Sequence, residues 1–84
     1  MENSYADFAC SPQLAHEMMA LCRELVALKF TDEQIENGIL ADLNETYRTS
    51  YVSRKQLTDS HARYAIEFLK DRLPAERLRR RVNL

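Results

Sequence analysis

The chain has 84 residues, 30% of them charged, and a formal net charge of −1, a length that supports one small core and excludes two separate domains. Only six residues are Val or Ile, one is Gly and two are Pro, while Ala, Leu, Met, Glu, Gln, Lys and Arg dominate. This predicts a single all-α domain over 1–84 and excludes a sandwich or barrel, which needs turn residues about every 8–12 positions.

Residues 1–10 read as a short arm in which Tyr5 and Phe8 can dock one helical turn on the body, with Cys10 near its exposed end. Ser11-Pro12 is a helix start, because Ser caps orphan amides and Pro at the first helical position has no amide to satisfy. The first helix is expected to run from there to about Lys29. Thr31 and Gln34 then fit a capping box, and Phe30 and Ile35 fit the accompanying hydrophobic staple. That starts a second helix, from about Asp32 to Tyr47.

Thr49-Ser50-Tyr51 breaks the pattern, after which Ser53 with Gln56 forms another capping box and Val52 with Leu57 another staple. A third helix is expected from about Arg54 to Leu73. Pro74 disfavours its continuation, so residues 75–84 read as a basic tail or a short fourth helix.

On the first helix Leu14, Met18, Leu21, Leu25 and Leu28 follow 4-3-4-3 spacing, with Ala15, Met19, Cys22 and Val26 beside them. The third helix is equally broad, from Leu57 through His61, Tyr64 and Phe68 to Leu73. Arcs of roughly 180–200° exceed the ~100° of a helix packed on one side. The surplus points to a homodimer or a protein partner, with Leu14, Met18, Leu21, Leu25, Leu28, His61 and Phe68 as the interface. The competing reading is that the arm, with Leu78, Val82 and Leu84, folds back to cover it. Gly38, inside the second helix, is expected to allow close helix approach.

Charge divides along the chain. Residues 1–47 carry two cations against nine carboxylates, a net −7, and residues 48–84 carry ten against four, a net +6. Mutual neutralisation within the fold is the plainest account of the split. Cys10, His16, Cys22 and His61 lack the paired spacings of a metal site, and neither cysteine stands in a nucleophile arrangement. No cofactor and no catalysis are expected. A lone glycine excludes a glycine-rich phosphate loop. No apolar run reaches the ~18 residues of a membrane span, and Met1-Glu2-Asn3 does not start a signal-peptide pattern. A cytoplasmic chain with reduced cysteines is expected.

The residues therefore point to a non-enzymatic regulatory or adaptor protein, or a stoichiometric inhibitor, that docks on a larger protein through the first helix. The alternative is a helix-turn-helix-like binder of DNA or RNA. It would use Arg54, Lys55, Arg63 and Arg72 on the third helix and Arg77, Arg79, Arg80 and Arg81 beyond it.

Overall fold

The computed structural model describes residues 5–82, with side chains over 5–73. The chain forms α1 (Pro12–Ala27), α2 (Asp32–Tyr47), a 3₁₀ turn (Arg54–Gln56) and α3 (Asp59–Val82), with no strand among the described residues. It is a small all-α bundle in which α1 and α3 share the most extensive contact and α2 packs against both.

Local chemistry sets most of the boundaries. The Ser11 side chain accepts the Leu14 N–H, and Pro12 opens α1. At the other end the Lys29 N–H bonds the Val26 carbonyl at 3.0 Å and the Phe30 N–H bonds the Leu25 carbonyl at 3.3 Å. This is a Schellman closure with Lys29, at φ 84°, in the left-handed position where Gly is usual. The helix thus stops at Ala27, two residues before the expected end, and Phe30 is brought back toward Leu25. The Thr31–Gln34 box then forms with both bonds at 3.0 Å.

The second capping box forms as well, with Gln56 Oε1 accepting the Ser53 N–H at 3.1 Å. It starts only a three-residue turn, not the third helix. Leu57 leaves helical geometry (φ −64°, ψ 132°) and its side chain is completely enclosed in the core. The true start lies one step later, where the Thr58 carbonyl accepts the Ala62 N–H at 2.7 Å. Val52 is 77% exposed, so its expected staple with Leu57 does not form.

Pro74 does not end α3, whose backbone stays helical to Val82, and there is no separate fourth helix. The missing amide removes only the rung to the Lys70 carbonyl. Lys70 is an exposed position, where water can take up the vacated acceptor.

Met18, Leu25, Ile39, Leu43, Leu57 and Leu69 are the largest fully enclosed side chains. The arm completes the cover: Tyr5 and Phe8 pack on the core, Cys10 is buried rather than exposed, and the Ala9 N–H bonds the Lys55 carbonyl at 2.8 Å. Much of the broad arc of α1 is thus covered within one chain, with Val26 left exposed. Leu78, Val82 and Leu84, the other expected covering residues, have side chains outside the described residues.

Candidate functional site

The closure at Lys29 has a consequence for the surface. Phe30, turned back over Leu25, forms one wall of a groove whose other walls come from α2 (Gln34, Ile35, Gly38) and α3 (Phe68, Leu69, Arg72). Its volume is about 210 Å³. An apolar cavity of roughly 150 Å³ already holds a benzene ring, so the groove has room for one large apolar side chain. Gln34 and Arg72 are its exposed polar edges, and the Arg72 guanidinium lies 5.4 Å from the centroid of the Phe68 ring.

Gly38 lines the groove without a side chain of its own. A Cβ built there would meet only the tip of the Phe68 ring, at 4.0 Å, an ordinary contact. Close helix approach therefore does not require glycine here, contrary to the expectation. Glycine within a helix costs about 0.8–1 kcal/mol relative to Ala. What it leaves at position 38 is open volume beside Phe68.

The sequence-derived interface is divided by the fold. Met18 and Leu25 belong to the intramolecular core, so the seam they mark is the packing face of α1 rather than an outer docking face. Leu14, Leu21 and Leu28 are partly buried against that core. Only Phe68, with the edge of Leu25, reaches the groove. Leu14 instead lines a second depression with Arg63, Ile66 and Lys70, crossed by the Lys70 pairs to Glu17 (3.4 Å) and Glu67 (3.7 Å). In the sequence Phe30 reads as a staple residue and Gly38 as a packing glycine, and no local pattern marks them as one site.

His61 sits in a cluster that joins α2, the following loop and α3. Its Nδ1 is 2.8 Å from the Tyr51 hydroxyl, and the Tyr47 ring lies 4.6 Å away centroid to centroid. Next to it the Tyr64 hydroxyl donates to Asp42 at 2.6 Å, which raises the Tyr64 pKa, with the Thr46 hydroxyl at 3.3 Å acting the other way. Asn44 completes the region by accepting the Tyr51 N–H at 3.0 Å and donating to the Tyr51 carbonyl at 2.9 Å. These groups bond to one another, and the cluster fastens the loop.

The basic residues are also redistributed. Arg54 does not project toward a groove of DNA: it is 8% exposed, donates to Asp32 at 2.7 Å and forms an ion pair with Glu36 at 3.4 Å. Burial opposes its charge, but the Asp32 bond and the nearby carboxylates outweigh burial and raise its pKa. Lys55 pairs with Asp7 at 3.6 Å. Arg63 is exposed, and the side chains of Arg77, Arg79, Arg80 and Arg81 lie outside the described residues. The pairs of Arg54 with Asp32 and Glu36, of Lys55 with Asp7 and of Lys70 with Glu17 join the acidic half to the basic half. The charge split is in that measure neutralised inside the fold.

Cys22 lies buried beside Arg54, with the guanidinium 3.8 Å from its Sγ. Burial pushes its thiol up to about 11 despite the adjacent cation, and burial likewise raises Cys10. Neither is poised as a nucleophile. Among the described residues no group of three His, Cys, Asp or Glu side chains is placed to hold a metal ion, and no helix is long and apolar enough to cross a membrane. No protein-family model, curated protein or solved structure matches this chain.

Proposed function

We propose that the protein is a non-catalytic regulatory or adaptor module that works by docking another protein in the groove between the end of α1, α2 and α3. The observation that carries this reading is Gly38. It lines a groove of about 210 Å³ together with Phe30, Ile35 and Phe68 and puts no side chain into it, although a methyl group there would make only an ordinary contact. An apolar recess with a few polar groups at its edge suits an anchor side chain of a partner, which typically contributes much of the binding energy of such a contact.

Docking is thereby assigned to Phe30, Gly38, Phe68 and Arg72, not to the seam of α1. The nucleic-acid reading has less support, because Arg54 and Lys55, its leading residues, are engaged by carboxylates of the acidic half.

The test is affinity capture from the source cell with wild type and Gly38→Leu, each with and without nuclease. Leu at 38 is a good helix former and extends into the groove. Proteins held by wild type after nuclease treatment and lost with Gly38→Leu support the reading. Retention of the same proteins by Gly38→Leu, or loss of all of them with nuclease, contradicts it.

A further inference from the structure

The arm is a small unit of structure laid on a body that holds itself together. Within it the Phe8 N–H bonds the Tyr5 carbonyl at 3.1 Å, and the two rings meet edge to face with centroids 5.7 Å apart. Its contacts reach residues far along the chain. The Ala9 N–H bonds the Lys55 carbonyl at 2.8 Å, the Ser11 N–H bonds Asp59 Oδ1 at 2.8 Å, and Asp7 pairs with the Lys55 ammonium at 3.6 Å. The Tyr5 ring also stands edge-on to His16 of α1. The Asp59 bond fixes the Cys10–Ser11 peptide, where the arm leaves α1, and the Cys10 side chain is buried beneath this cover.

The seat of the arm does not depend on the arm. Lys55 stands in the turn closed by the Ser53–Gln56 box, Arg54 beside it is held by Asp32 and Glu36, and Leu57 is enclosed in the core. Ser11 caps α1, and Asp59 opens α3. The arm, by contrast, is held at partly open sites. Tyr5 and Phe8 are half-buried, and the Asp7 and Lys55 side chains are 78% and 54% exposed, where an ion pair contributes little. Segments with few enclosed apolar contacts open at a free energy below that of global unfolding.

We propose that residues 5–10 are a strap that swings off an intact three-helix body about the Cys10–Ser11 peptide, with the Ala9–Lys55 and Ser11–Asp59 bonds as its latch and uncovering of Cys10 as its consequence. Closed, it excludes the thiol from solvent. Open, it presents Tyr5, Phe8 and Cys10 together and frees the Lys55 carbonyl and the Asp59 carboxylate in a seat that is already formed. Cys22 lies outside this movement: it is about 15 Å along α1 from Pro12 at 1.5 Å per residue, and it is buried beside Arg54.

The two buried cysteines test this in the intact chain. An aryl disulfide in excess reacts with an accessible thiolate, which forms a mixed disulfide and releases one coloured aryl thiolate. Peptide mass identifies the cysteine modified. Cys10 is expected to react about tenfold or more faster than Cys22, at a rate nearly flat in urea below the unfolding transition, because opening the strap exposes little surface. Cys22 should follow the urea dependence of global unfolding. Asp59→Ala removes one latch bond and should speed Cys10 about threefold to tenfold. Hydrogen exchange at the Ala9 amide, which does not depend on thiol ionisation, should rise by the same factor. Asp59→Asn keeps an oxygen acceptor for the Ser11 N–H and should restore most of the protection. Lys55→Gln removes the exposed ion pair but leaves the backbone bond, and its effect should stay below about threefold.

Reaction of Cys10 and Cys22 together, with one urea dependence shared by Ala9 exchange, means that the arm opens only with the whole fold and overturns the strap. Reaction of Cys10 as fast as in the urea-unfolded chain, with Ala9 unprotected, means that there is no closed state and overturns it equally. Rates at Cys10 and Ala9 unmoved by Asp59→Ala overturn the latch.

Discussion

The Arg54 guanidinium meets the Asp32 carboxylate at 2.7 Å, and the two differ sharply in exposure: the Arg54 side chain is 9% exposed and that of Asp32 59%. Removing one partner of such a pair costs most when the charge left behind is the buried one. Asp32→Asn with Glu36→Gln strands the guanidinium and is expected to cost about 3 kcal/mol. Arg54→Met leaves two carboxylates that water can reach, and its expected cost is about 1 kcal/mol or less. Urea unfolding of the two variants checks the order. A larger loss with Arg54→Met would contradict the asymmetry.

Cys22 gives a pH dependence of definite sign. Its thiol is raised from 9.0 to about 11 in the folded chain, chiefly by burial. Between those values the unfolded chain has released this proton and the folded chain retains it. Stability from this group is therefore full below pH 9 and declines as pH rises toward 11. Other groups titrate in the same window, so the informative quantity is the difference from Cys22→Ala. Wild type is expected to lose about 2.5 kcal/mol more than the variant over that range. Parallel pH profiles from chemical denaturation would contradict this.

Gly38→Ala adds helix propensity without a clash, since the nearest side-chain atom is 4.0 Å from the new Cβ. Stability is expected to rise by about 0.5–1 kcal/mol. A fall in the thermal midpoint would mean that the helices pack more tightly at this position than the 4.0 Å separation indicates.

The two capping boxes differ in what they hold. Thr31 caps the sixteen-residue α2, and Thr31→Ala is expected to cost about 1 kcal/mol. Ser53 caps the turn that presents Arg54 to Asp32 and places Leu57 in the core. Ser53→Ala should therefore show non-additive loss when combined with Arg54→Met, while Thr31→Ala with Arg54→Met should be closer to additive. A double-mutant cycle by urea unfolding measures both.

The parts of the fold governed by neighbouring residues were legible in the sequence, and those governed by distant ones were not. Ser11-Pro12 and Thr31–Gln34 act within one turn, and both starts lie where the spacing puts them. Ser53–Gln56 is just as local, but how far its helix extends depends on the burial of Leu57, which no cap encodes. The end of α1 was obscured because Lys29 occupies a position where glycine is the usual signal. Arg54 reads as an exposed cation until Asp32, 22 residues earlier, is brought against it. The groove is the extreme case: Phe30, Gly38 and Phe68 come from a turn and two helices, and the feature that matters at position 38 is the absence of a side chain.

The central claim, that this groove is the docking surface, is tested most directly by mapping backbone amide shifts in the isotope-labelled protein as a peptide of about 14 residues with one central Phe is added. Shifts should concentrate at Phe30, Gln34, Ile35, Gly38, Leu69 and Arg72, and should be lost in Gly38→Leu. Shifts centred instead on the depression of Leu14, Ile66 and Lys70, or on Tyr47 and His61, would contradict the account.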